Sequence, residues 1–175
     1  MYVRGIFMPK IIENLETRLM EEAKRQIESV GYSATTIRSV AQACGVGVGT
    51  VYNYFPSKDM LVASYMLTDW QSCMAVIHST GQTATTPELV VRCIYDQIHI
   101  FADRNSAVIR DEAAFVGFAG VCKRYHTMLR SQLAIPLRRF CPDDFTAEFV
   151  TECLLSWALT DKSFDVIYNM IRKLF

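Results

Sequence analysis

An all-α fold is predicted by three features of this 175-residue sequence. Apolar residues recur at steps of three and four through almost every segment, strand-like alternation is absent, and glycine or proline stops several of the runs. The expected architecture is a three-helix N-terminal head with a helix-turn-helix, over residues 1–56, followed by a helical ligand-binding and dimerisation body over 57–175.

In the first helix Ile12, Leu15, Leu19, Ala23, Ile27 and Val30 form one apolar face, and Gly31 ends it. The second opens at Thr35 or Thr36, both good N-caps, and buries Ile37, Val40, Ala41 and Cys44. Gly45 supplies a tight turn. A third helix runs from about Gly47 to Tyr54 and stops at Pro56. Ser57 then caps a long fourth helix reaching about His78. Residues 79–87 (STGQTATTP) have the composition of a linker. Five further helices are expected near 87–104, 106–116, 119–140, 143–158 and 161–174.

Two short helices joined by a glycine turn suit duplex DNA. One helix braces across the backbone while the other enters the major groove. With Val46, Val51 and Phe55 packed inward, Val48, Gly49, Thr50 and Asn53 face out, flanked by Tyr52 and Tyr54. Thr50 and Asn53 can hydrogen-bond bases, Val48 can touch a thymine methyl, and Gly49 permits close backbone approach. Phosphate contacts are expected from the Thr36 hydroxyl and amide, the Tyr52 and Tyr54 hydroxyls, and the Lys58 ammonium. Helix packing alone also accounts for two short helices, but has no use for such a polar-aromatic edge.

Thr36, Ala41, Gly45-Val46 and the run Thr50-Val51-Tyr52-Asn53-Tyr54-Phe55-Pro56-Ser57-Lys58 resemble the head of the tetracycline-repressor (TetR) family of bacterial regulators. The family signature is Thr-Leu-Tyr-x-His-Phe-x-x-Lys after a threonine-led helix and a Gly-Val turn. The resemblance spans about residues 10–65. It departs at Gly47, where a capping Ser or Thr is common, and at Tyr54, where histidine is usual. It implies a ligand-responsive repressor acting as a homodimer on a near-palindromic operator, with a helical body for ligand and partner. The alternative is an all-α small-molecule-binding protein or protein–protein adaptor whose helix-turn-helix does not function.

The body residues agree independently. Phe145, Phe149, Cys153 and Trp157 fall at steps of four, and Phe164, Ile167, Tyr168 and Ile171 mark the last helix. Helices this apolar either pair with a second copy through Phe149, Cys153, Trp157, Phe164, Ile167, Tyr168 and Ile171, or pack inside the chain. Tyr95, His99, Phe115, Phe118 and Tyr125 are the candidates to line a site for a small apolar or aromatic effector, against a reading as ordinary core. Gly117 and Gly120 either open space there or break a helix.

A hydrophobic fraction of 51% with a mean hydropathy of +0.15 is high for a chain with 21% charge, and calls for a cavity or an association face. Net charge is zero, with seven Lys/Arg against six Asp/Glu in residues 1–65, so bulk polyanion binding is not expected. The 6 cysteines lie twelve or more residues apart, which gives no metal-ligand pair. They read as buried thiols in a reducing compartment, a reactive thiol being the lesser alternative. No signal segment or membrane span is read, which points to the cytoplasm. No catalytic motif is present either, and the GVGVG run follows a helix rather than a strand, so no enzyme, cofactor or metal is expected.

Overall fold

The computed structural model describes residues 14–175, and for 115–125 the backbone alone. Ile12 and the opening of the first predicted helix lie outside the described residues. Among the described residues the chain is all-α and has no strand. The head consists of α1 (Leu15–Val30), α2 (Ile37–Ala43) and α3 (Val48–Tyr54). The body follows with α4 (Lys58–Thr83), α5 (Pro87–Arg104), α6 (Ser106–Ile109) and α7 (Glu112–Ala134). A 3-10 turn, Ile135–Phe140, leads to α8 (Asp144–Trp157) and α9 (Phe164–Ile171).

Three apolar clusters lie along α4, which acts as a spine. Its first turn gives Leu61 to the head core with Leu19, Val40, Val51 and Phe55. Its second gives Val62, Ala63 and Tyr65 to a middle cluster with Ile27, Tyr32, Val108 and Ala114. Its remainder gives Trp70, Cys73 and Ile77 to the body core. Burial of each such large side chain contributes about 2 kcal/mol, so α4 couples head and body by packing rather than through a hinge loop. A polar bridge reinforces the middle cluster: Asp69 accepts from Lys24 Nζ of α1 at 2.7 Å and from Asn105 Nδ2 at 3.2 Å.

The expected linker over 79–87 is corrected, since α4 continues through Thr83 and only residues 84–86 connect it to α5. Gly81 is buried there, and a Cβ added to it would overlap the Pro136 ring. The Thr83 hydroxyl donates back to the Ser79 carbonyl at 3.3 Å, so hydroxyl side chains are absorbed by the helix. The partition into 106–116 and 119–140 is also corrected. The break falls at Arg110, and Asp111 caps α7 by accepting from the Ala114 amide at 3.0 Å. The backbone is helical through Gly117 and Gly120.

Of the two terminal helices, each buries one face and exposes the other. Phe164, Ile167 and Ile171 are 6%, 6% and 4% exposed and belong to the chain's own core, so they are removed from the expected association face. Arg92 of α5 stacks on the Phe164 ring at 3.7 Å.

Candidate nucleic-acid interface

The turn of the helix-turn-helix is fixed by local chemistry. Gly45 has φ +70°, which favours glycine. Its amide bonds the Gln42 carbonyl at 3.1 Å and the Val46 amide bonds the Ala41 carbonyl at 3.0 Å, closing α2 as a Schellman motif. Gly47 caps α3 without a side-chain bond, as its lack of a hydroxyl dictates. Val51 at 0% and Phe55 at 2% exposure lock the inner face of α3 onto the head core.

The outer face of α3 stays open. Tyr52 is 52% exposed and Tyr54 46%, Asn53 and Gly49 are exposed, and Thr50 is half-buried. A Cβ on Gly49 would meet nothing within 4 Å. Val48 turns partly inward and packs against the head core, so it presents less surface than the spacing suggested.

Between the starts of α2 and α4 and the side of α3 lies a cleft of about 460 Å³. Thr36, Arg38, Tyr52, Ser57 and Lys58 are among its lining residues. Thr36 forms a capping box with Ser39: its hydroxyl accepts the Ser39 amide at 3.0 Å and its amide donates to Ser39 Oγ at 3.1 Å. Both groups expected to meet phosphate are thus engaged in the free protein. Helix geometry leaves the Ile37 and Arg38 amides as the donors without an intrahelical acceptor. Arg38 is exposed at the second position of α2, and sequence reasoning passed over it. The signal was present, as a lone cation on the polar side of the Ile37-Val40-Ala41 stripe.

Lys58 is half-buried and committed inward. Its ammonium donates to the Tyr32 carbonyl at 2.8 Å and sits 3.8 Å from the centre of the Tyr32 ring. Burial lowers its pKa, opposed by the charges of Asp59 and Asp111. The Tyr32 hydroxyl donates to Asp59 Oδ1, and burial with that bond raises the phenol well above its usual range.

In the body, Tyr95 donates to the Lys162 carbonyl at 3.4 Å and packs on His99 and Phe164 with ring centres 4.6 and 5.5 Å apart. His99 Nε2 is buried with no hydrogen-bond partner among the described residues. Phe115, Phe118 and Tyr125 have side chains outside the described residues. On α8, Phe149 is 47% and Trp157 51% exposed, while Cys153 is half-buried like Tyr168 of α9. Phe145, Val166 and Met170 are exposed as well. Burial raises the thiol pKa of Cys44, Cys73, Cys141 and Cys153, which disfavours the reactive thiolate. Among the described residues no group of His, Cys, Asp or Glu could hold a metal, and no helix is long and apolar enough to cross a membrane.

A helix-turn-helix head with an open second helix, carried on a helical body, defines the class of helix-turn-helix transcriptional regulators. Residues 19–65 match the family model described as bacterial regulatory proteins, tetR family. The chain is 25% identical over 59 residues to the HTH-type transcriptional regulator UidR of Escherichia coli (strain K12), a match covering 34% of this chain and 30% of that protein. The chain thus spans under a third of the length of the curated relatives it matches. Solved structures extend the likeness to the whole fold. SCO7518 from Streptomyces coelicolor A3(2), described as a transcriptional regulator, superposes with a TM-score of 0.67 at 15% identity, covering 92% of this chain and 98% of that one. The flavonoid-responsive regulator FrrA gives 0.59 at 22% identity, covering 90% and 91%. At such identities the likeness is one of fold alone. The head is thus matched in sequence to the tetR family over residues 19–65, and the chain as a whole is similar in fold to solved transcriptional regulators.

Proposed function

We propose that this chain is a ligand-responsive repressor that binds a near-palindromic operator as a homodimer. In this reading residues 1–56 form the DNA-reading head and 57–175 the effector-binding and dimerising body. Thr50 and Asn53 address base edges, Gly49 lets the α3 backbone approach the groove floor, and Val48 offers its remaining surface to a thymine methyl. Tyr52 and Tyr54 hold phosphates at the flanks. Thr36 opens α2 toward the backbone, joined by the Arg38 side chain and the two free amides.

A second copy would meet the exposed stripe Phe145, Phe149 and Trp157 of α8, with Cys153 between them and Val166, Tyr168 and Met170 of α9 alongside. A twofold pairing there would set the two α3 helices about 34 Å apart, one turn of B-DNA. His99 Nε2, which has no hydrogen-bond partner among the described residues, lies beside Tyr95 and supports an effector with an aromatic body and one polar group, consistent with the flavonoid response named for FrrA. Such an effector would act by favouring a head spacing that does not fit the operator.

The observation that carries this reading is the open polar face of α3 above a floor sealed by Val51 and Phe55. Enrichment from a randomised duplex pool should yield an inverted repeat. Asn53→Ala should then cost about 1–3 kcal/mol of binding and relax one position of each half-site. Failure to enrich any duplex, with the protein folded, would overturn the proposal.

A further inference from the structure

We infer that Lys58 is a positioning residue for DNA binding, a tether that fixes the width of the cleft, rather than a phosphate ligand. This rests on the DNA-binding reading and departs from it at one residue. Lys58 is the first residue of α4 and lies directly beyond α3, at the exit of the helix-turn-helix. Tyr32 lies directly before the turn that leads into α2, at its entrance, where the Thr35 hydroxyl donates to the Gly31 carbonyl at 2.9 Å. The bond from Lys58 Nζ to the Tyr32 carbonyl, 2.8 Å long across 26 residues of chain, therefore closes the two ends of the motif on each other. Everything that lines the cleft on the DNA side, from Ser33 through Arg38 and Val48 to Ser57, lies inside that closed loop.

The cation is also satisfied where it stands. Its ammonium lies 3.8 Å from the centre of the Tyr32 ring, close enough for a cation–π contact. Asp59, the neighbouring residue, holds the Tyr32 hydroxyl, and the Asp111 carboxylate at the start of α7 adds a second negative charge near the group. Moving Lys58 onto a phosphate would forfeit the carbonyl bond and the ring together and release the α1–α2 turn from α4. Arg38, Tyr52 and the amides at the start of α2 remain to meet the backbone of the duplex.

Salt dependence separates the two roles, because each cation that neutralises a phosphate adds about 0.9 to the slope of log K against log salt. The test measures the affinity of wild type, Lys58→Met, Lys58→Arg and Tyr32→Leu for the duplex that the wild type enriches. Salt is varied at a temperature where circular dichroism shows every variant fully folded, so that a merely structural residue would leave the affinity unchanged. The expected result for Lys58→Met is about a tenfold loss at every salt concentration with an unchanged slope. Tyr32→Leu keeps the backbone carbonyl that Lys58 bonds and removes only the ring, so its loss should be smaller, about threefold; the double variant should be no weaker than Lys58→Met, and Lys58→Arg should regain most of the affinity. A slope reduced by roughly one per protomer in Lys58→Met, or Lys58→Met binding as tightly as wild type, overturns the tether while leaving the regulator reading intact. No salt-dependent binding by the wild-type protein removes both.

Discussion

The outer face of α3 and the outer face of α8 expose their aromatic residues almost equally, yet they are built for different partners. Tyr52 and Tyr54 are 52% and 46% exposed, and Phe149 and Trp157 are 47% and 51%. On α3 the rings carry hydroxyls and stand among Asn53, Thr50 and an unobstructed Gly49, so the face can hydrogen-bond a hydrated, charged ligand. On α8 the rings run at steps of four with Phe145 and form an apolar stripe, which gains most by being covered. Equal exposure thus hides opposite chemistry, and what decides the partner is the polar atoms around each ring.

The largest effect is expected on the α8 face. If the α8 stripe pairs with a second copy as proposed, replacing Trp157 or Phe149 by Glu places a charge on each side of the twofold interface, so one substitution counts twice. The expected cost is ~3 kcal/mol, or roughly a hundredfold in the dimer Kd, read by sedimentation equilibrium. The same variants should lose operator affinity although they touch no DNA. An unchanged dimer mass would show that the stripe is covered by something other than a second copy.

Two glycines sharpen the contrast between a face that awaits a ligand and one already filled. Gly81→Ala must displace Pro136 or the α4 backbone, and should destabilise the protein by about 1–3 kcal/mol in chemical denaturation. Gly49→Ala meets open space on a helix and should raise stability by up to ~1 kcal/mol, since alanine is the better helix former. If α3 enters the major groove, that same methyl lies between helix and bases. The variant should then bind operator more weakly while melting later. Stability and affinity moving together would place Gly49 away from the DNA.

How far each face was legible in the sequence follows from the range of the interactions that make it. The head is set by neighbours a few residues apart: the Thr36–Ser39 box, the Gly45 turn, and the Val51 and Phe55 spacing. Such signals survive in a linear reading. Residues 79–83 have the composition of a linker because Ser, Thr and Gly mark loops when no partner is visible. The partner, Pro136, lies more than fifty residues away. Likewise the stripe of α9 showed that Phe164, Ile167 and Ile171 had to be buried, but not by what. The answer, the Tyr95 and Arg92 side of α5, depends on helix packing that periodicity does not encode. Lys58 was legible as a residue but not as a contact, since its partner Tyr32 precedes the whole motif.

The smallest expected effect lies in the support of the α3 cleft and concerns pH. Glu22 of α1 accepts from Arg25 Nη2 at 2.6 Å, Arg25 Nε at 2.8 Å and Gln26 Nε2 at 2.7 Å. The Arg25 bonds, followed by that from Gln26, hold its pKa at about 2. Gln26 Oε1 in turn accepts from Ser39 Oγ at 2.6 Å, so the carboxylate is the far end of a chain that reaches the capping box of α2. A folded-state pKa below the unfolded one means that the ionised carboxylate stabilises the fold above the unfolded value of about 4.3. That contribution is lost as pH falls from there toward 2. Arg25 is solvated, so the pair is screened and the effect should stay below about 1 kcal/mol. Glu22→Gln should therefore lower the denaturation midpoint at neutral pH and converge on wild type near pH 2. It should also loosen Gln26, and through it the start of α2, so operator affinity should fall slightly at neutral pH. A variant that tracks wild type in stability and affinity across this range would disconnect α1 from the cleft and leave the capping box to hold α2 alone.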